Sequence, residues 1–166
     1  MSRFHALAFT PSVEELQKRA GSRSAYARLA GKTGSGRDPL SEDELEFIAR
    51  RDSFYMASLS ETGWPYVQHR GGPKGFVNAE AHTLRFEDYR GNQQFLTAGN
   101  IAKNDRVALI FMDYPNRARL KVLGHARLEG KTFVIDVEGF DWNCPQHITP
   151  RYTADELAAF SEVAER

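Results

Sequence analysis

Within seven residues, His69-Arg70-Gly71-Gly72-Pro73-Lys74-Gly75 combines two cationic side chains with three glycines. Adjacent glycines let a backbone approach a ligand closely with its N–H groups exposed, and Arg70 and Lys74 add charged donors that suit a phosphate. A basic surface turn has the same composition, and the local pattern leaves both readings open. A second group, Gly91-Asn92-Gln93-Gln94 with Gly99-Asn100, sets short amides beside glycines. These serve either to hydrogen-bond a planar heterocycle or to cap turns. The third group is Arg117, Arg119 and Lys121, of which the last two share a strand face by the two-residue period. Such neighbours point to an anion between them or to a solvated edge.

Templates for chemistry done by side chains alone are missing. There is no GxSxG, no HExxH and no GxxxxGK, and Gly34-Ser35-Gly36 lacks both the completing residues and the preceding strand of a nucleotide loop. His5, His69, His82, His125 and His147 have no metal-ligand spacing, so no metal is expected. Cys144 stands alone, excludes an intrachain disulfide and reads as a small apolar group rather than a redox centre. With no long apolar run, this predicts a cytoplasmic protein that neither spans nor enters a membrane. The 22 basic and 22 acidic residues cancel, which removes the summed field that would favour nucleic acid.

These groups need elements to hold them. A chain of 166 residues, 41% of them hydrophobic, supports one domain with one core. Ser12 with Glu15 has capping-box spacing and predicts a helix that Leu16 follows; Tyr26 and Leu29 extend a second helical piece before Gly31, Gly34 and Gly36. Residues 31–38 read as a mobile loop. Ser41 with Glu44 forms another capping box, predicting a helix over 41–51 with Leu45 and Ile48 on its buried stripe. Six strands are expected at 53–59, 65–70, 83–86, 106–112, 120–128 and 132–137, with a short helix inside 95–103 broken at Gly99. Pro145 and Pro150 pin an irregular segment around His147, and Thr153 with Glu156 starts a last helix carrying Leu157 and Phe160. Six short strands without long intervening helices favour an antiparallel barrel or curved meander of the α+β class.

The run from Phe47 to about Gly124, including RDSFYMASLSETGWPYVQHRGGPKGF and DYRGNQQFLTAGNIAKNDRVALIFMDYPNRARLKVLG, resembles the pyridoxamine 5′-phosphate oxidase-related family of FMN-binding split β-barrels. FTPSVEELQKRAGSRSAYAR and NCPQHITPR resemble a bacterial subgroup of that family. The resemblance implies an antiparallel split β-barrel with flanking helices: an N-terminal helical arm over 1–40, an FMN-binding core over 41–140, and a loop and helix over 141–166 completing the same domain. It further implies a homodimer with FMN in each of two clefts at the subunit boundary. His69, Arg70, Gly71 and Gly72 would lie along the cofactor, Asn92 and Gln94 near the next strand junction, Asn100 in the following loop and Arg119 on a later strand. Arg70 and Arg119 are the preferred partners of the FMN phosphate or the flavin edge, with Lys74 and Arg117 next. The implied function is an FMN-dependent oxidoreductase acting on an unidentified small substrate, with hydride transfer at flavin N5 and NADH, NADPH or oxygen as the other partner. The alternative is a non-catalytic flavin carrier or sensor. No residue is singled out as a proton donor; His69 and Tyr66 are candidates for that task or for packing on the cofactor. RGGPK and GNQQ set the chain apart from the substrate-competent oxidase.

Overall fold

Along 53–59, 106–113 and 118–126 buried side chains recur at every second position, and a strand is the conformation that gathers such a set on one face. The computed structural model describes residues 3–30, 36–88, 93–142 and 145–158. It forms strands β1 (Ser53–Leu59), β2 (Pro65–Gly71), β3 (Asn78–Glu80), β4 (Thr83–Glu87), β5 (Arg106–Asp113), β6 (Ala118–Glu129) and β7 (Thr132–Trp142). Helices α1 (Arg3–Ala8), α2 (Pro11–Arg19), α3 (Arg23–Ala30), α4 (Glu42–Ala49) and α5 (Leu96–Lys103) flank them.

The strands make one antiparallel sheet in the order β2-β1-β5-β6-β7-β4-β3. In that order β1 and β4 are four strand spacings apart, roughly 19 Å in a flat sheet at about 4.8 Å per spacing. Yet the rings of Phe54 on β1 and Phe86 on β4 are 5.1 Å apart, and Phe86 stacks on Phe133 of β7 at 5.1 Å. The sheet therefore curls until its halves face each other across a filled interior. Phe54, Met56, Phe111, Leu120, Val122 and Phe133 are at most 1% exposed there. Edge strands β2 and β3 share no ladder, so the curl leaves a seam. This is an antiparallel split β-barrel with flanking helices, of the α+β class.

Ile48 of α4 and Ile101 of α5 add to the same core. The capping box of α4 forms: the Ser41 N–H and hydroxyl both donate to Glu44 Oε2, at 2.8 and 2.5 Å. Glu44 Oε1 accepts the Trp142 indole N–H at 2.6 Å, tying α4 to the end of β7. Burial pushes the Glu44 carboxyl up, but the Ser41 and Trp142 donors outweigh it and hold the group below its ordinary 4.5.

Several local expectations change. Thr10, not Ser12, caps α2, its hydroxyl accepting the Val13 N–H at 3.5 Å, because Pro11 takes the first helical position, where no N–H is needed. Glu15 pairs with Arg19 instead, at 3.1 Å. Gly99 does not break α5; its N–H donates to the Phe95 carbonyl at 2.8 Å. β3 is a seventh strand, too short at 3 residues for a period to show, and β7 runs past Val137 to Trp142. Of the segment expected to be a mobile loop, Arg37 bonds Glu138 at 2.9 Å and the Asp38 N–H donates to the Glu138 carbonyl at 3.1 Å. Residues 31–35 and Phe160 lie outside the described residues. Among those described, no helix is long and apolar enough to cross a membrane.

Helix α1, which carries no capping signature, docks on β7 through a close backbone approach. A Cβ at Gly139 would come within 2.4 Å of the Phe4 nitrogen, and Arg3–Glu138 (3.5 Å) and His5–Asp141 (3.3 Å) flank the contact. Gly139→Val should therefore release α1, seen as faster amide exchange over residues 3–8 with the core strands still protected. Unchanged protection of those amides would mean that α1 is held by its side chains and not by the approach at Gly139.

Candidate functional site

The seam is where strand alternation puts polar groups on an inner wall. Along β2 the even positions Tyr66, Gln68 and Arg70 are half-buried and the odd positions Val67 and His69 are exposed. Tyr66, Gln68 and Arg70 face a cleft of about 520 Å³. Its other walls are Glu87 and Asp88 at the end of β4, the segment from Gln93 into the first turn of α5, and Leu128, Gly130, Lys131 and Phe133 of the β6–β7 hairpin.

Arg70 spans the seam. Its Nη1 donates to Asp88 Oδ1 at 2.7 Å, and its guanidinium carbon lies 4.7 Å from the Phe133 ring centroid and 5.9 Å from that of Phe86. Its Nε is buried with no hydrogen-bond partner among the described residues. Leaving such a donor unpaired costs about 1–3 kcal/mol. On the facing wall Thr97 is 2% exposed, and its hydroxyl donates to Gln68 Oε1 at 2.7 Å, fastening α5 to β2. The N–H groups of the first turn of α5 have no intrahelical acceptor and border the same space. Gln93 and Phe95 have positive φ values of 59° and 54°, a region costly for side-chain-bearing residues and often found at ligand sites. In charge, Arg70 and Lys131 are balanced by Glu87 and Asp88.

From the glycine-rich motif the cleft receives only Arg70. The Gly72 and Gly75 N–H groups donate to the Asp52 and Arg51 carbonyls, both at 2.9 Å. A Cβ at Gly72 would lie 2.7 Å from the Phe76 ring. The glycines thus permit packing against the α4–β1 junction. Gly71 and Lys74 are exposed. His69 projects to the opposite face from Arg70, with its ring 5.5 Å from that of Tyr55.

Gln94 borders the cleft; Asn92 and Cys144 lie outside the described residues. The Asn100 amide donates to Ser58 at 3.0 Å and ties α5 to β1. Arg117 sits in the β5–β6 turn with φ 54°, donating to the Pro145 carbonyl at 3.3 Å. Arg119 pairs with Met112 on the outer face of the sheet, its Nε buried without a partner among the described residues. Lys121, its expected companion, bonds Asp141 at 3.3 Å instead. Gln68, Asp88, Thr97, Lys131 and Phe133 are cleft residues that sequence reasoning did not single out. The two-residue period through PYVQHR could have flagged Gln68, but nothing local links Asp88 to Lys131, whose carbonyl accepts the Asp88 N–H at 2.7 Å. No group of three or more His, Cys, Asp or Glu among the described residues could hold a metal ion.

Residues 40–141, which contain nearly all of the barrel and the whole cleft, match the family model described as pyridoxamine 5′-phosphate oxidase. The chain belongs to the pyridoxamine 5′-phosphate oxidase family. Among solved structures that share the family fold, HupZ of Group A Streptococcus is 15% identical, with 68% of this chain and 99% of that one covered at a TM-score of 0.52. A Clostridium acetobutylicum protein related to general stress protein 26, of the pyridoxinephosphate oxidase family, is 14% identical over 71% of this chain and 99% of its own, at 0.46. An FMN-binding protein from Syntrophomonas wolfei is 7% identical over 76% and 97%, also at 0.46. No curated protein matches the chain.

Proposed function

We propose that this family member is an FMN-dependent oxidoreductase whose seam cleft holds the cofactor. The supporting observation is that a chain of this family opens at the seam into a cleft of about 520 Å³ lined by Gln68, Arg70, Lys131 and the start of α5, a size usual for small-molecule sites. The residues present fit FMN. Lys131, Gln93, Gln94 and the N–H groups at the start of α5 are donors for a phosphate. Gln68 and Arg70 are donors for the polar edge of a ring, with Tyr66 and Phe95 as flat apolar surface. FMN, when bound, supplies hydride chemistry at N5 that no side chain here offers. The protein's part is to orient the ring, satisfy its acceptors and limit water. The substrate is a small molecule, with a nicotinamide nucleotide as the expected hydride partner.

A second copy of the chain belongs to this reading. Tyr55, Trp64 and Val67 are 38%, 76% and 59% exposed, and burying them in a homodimer would remove apolar area from water while covering an open cleft. Arg119 lies on that outer face, available to the cofactor of the second copy. Cofactor and dimer should then stabilise each other by linkage, so sedimentation across a concentration series should show tighter association with FMN than without it.

The primary test is titration of the full-length apoprotein with FMN. Saturable one-to-one binding, with flavin absorption bands in the protein as purified, is expected; absence of both overturns the proposal. Steady-state oxidation of NADH or NADPH by the loaded protein separates an enzyme from a flavin carrier.

A further inference from the structure

Resting on the flavin reading, we infer that Phe95 is a ligand-contacting residue retained although it destabilises the fold, and that with Leu96 and Leu128 it takes the face of an uncharged, planar ring. Three unfavourable features meet at this one residue. Its φ of 54° and ψ of 18° place it in the left-handed region, which a Cβ makes costly and which Asn or Gly occupies more readily. It is the N-cap of α5, a position that favours Ser, Thr, Asp or Asn, and no side-chain hydrogen bond caps the helix there. Its side chain is 66% exposed and takes no part in the core.

The fold uses the backbone of Phe95 and not its ring. The Phe95 carbonyl accepts the Gly99 N–H at 2.8 Å, a bond that opens α5, and any residue supplies that carbonyl. A strained, exposed aromatic that returns nothing to the folded chain marks a position whose side chain acts on binding. Its location agrees. Phe95 lines the cleft, as does Gln93 two residues earlier, whose φ is also positive at 59°. The residues beside it say what the ligand is. Phe95 has no hydrogen-bonding group, and Leu96 and Leu128, 44% and 41% exposed, line the same cleft. Because Leu128 belongs to the β6–β7 hairpin and Leu96 to α5, the apolar surface comes from two walls. Such a surface gives nothing to an ion and favours a flat apolar face, against which an aromatic ring packs offset or edge-on. Two rings meet that description in a flavin site: the flavin's own, and that of an uncharged substrate lying on it.

The test uses Phe95→Asn, which suits the left-handed backbone, and Phe95→Tyr, which keeps a flat ring. Phe95→Asn should leave the melting temperature unchanged or raise it by a few degrees, which separates loss of binding from loss of fold. Full-length apoprotein is titrated calorimetrically with FMN and with riboflavin, and the FMN-loaded protein with menadione as an uncharged planar probe. Phe95→Asn should weaken binding about 10-fold, either of both flavins or of menadione. Phe95→Tyr should stay within about threefold of the wild type for the same ligand. Equal loss of FMN and riboflavin places the flavin ring on Phe95, and loss of menadione alone assigns this wall to the substrate's ring. A Phe95→Asn protein that binds riboflavin and menadione as the wild type does, or that melts well below it, overturns the inference and leaves the flavin reading intact. A wild-type apoprotein that binds neither flavin overturns that reading and this inference with it.

Discussion

Phe54→Ala should cost about 3–5 kcal/mol of stability, the range for removing a fully buried aromatic side chain. Phe54 is 1% exposed and contacts Phe76, Phe86 and Phe111 at centroid distances of 5.8, 5.1 and 4.9 Å. Its importance comes from position more than from area. It stands on β1 and touches β4 across the interior, so it closes the curl that sheet hydrogen bonds alone leave open. Urea unfolding followed by circular dichroism would measure the loss. Phe54→Leu, which keeps most of the volume, should cost well under half as much. A loss below about 1 kcal/mol for the alanine variant would mean that the interior collapses easily around the gap.

Asp113→Ala should be nearly as damaging, for an electrostatic reason. Arg51 and Asp113 form an ion pair at 2.9 Å with side chains 14% and 9% exposed. The same guanidinium donates to the Phe47 and Met112 carbonyls at 3.3 and 3.2 Å. Removing the carboxylate leaves a buried cation uncompensated, at about 3–5 kcal/mol. Replacing both partners, as in Arg51→Met with Asp113→Leu, should recover much of that loss, because neither charge then remains. If the double variant is as unstable as the sum of the two singles, the charge argument fails and packing must be the cause.

The pair also sets an acid limit. Burial pushes the Asp113 carboxyl up, but hydrogen bonds from Asn116 and the neighbouring Arg51 charge outweigh it and hold the group below its ordinary 3.8. A carboxylate depressed on folding contributes stability that is complete above its unfolded value and lost as pH falls through its folded one. Glu44, held below 4.5, acts in the same sense. Stability should therefore be flat with respect to these groups above about pH 5 and fall on acidification through their depressed values, and Asp113→Ala should flatten part of that fall.

The candidate cleft lies at the seam because a split barrel has two edge strands whose polar groups are not used up by pairing. β2 is one of them. Its inner positions face neither a neighbouring strand nor bulk solvent, so a half-buried Arg and Gln can be held there by partners from β4, α5 and β7. A closed barrel would have filled that space with apolar side chains. This edge strand and its neighbour β1 expose Val67 and Tyr55 on the outer face, which is why cofactor and second copy enter one proposal.

What was legible in the sequence was what depends on near neighbours in the chain. The capping box at Ser41 and Glu44 and the apolar runs of β1, β5 and β6 each arise from residues a few positions apart. Their composite pattern was long enough to reveal the family. The start of α2 was missed by two residues because Pro11 and Thr10 compete with Ser12 for the same role. Gly99 read as a breaker, although a helix packed through Thr97 and Ile101 tolerates one glycine at a cost of about 1 kcal/mol.

The arrangement of the site was decided by tertiary structure. Glycines beside Arg70 suggested an exposed backbone cradle, but the Gly72 and Gly75 N–H groups meet the carbonyls of Asp52 and Arg51 once α4 lies against β1. Arg119 and Lys121 do share a face, as the period required, yet β7 brings Asp141 to Lys121 and leaves Arg119 without that companion. Arg70 meets Asp88, 18 residues away, and Phe133 only because the sheet curls. A strand's period says which side chains share a face; which remote groups stand opposite them is set by the pairing of β4 with β7 and by the aromatic interior that draws the sheet round.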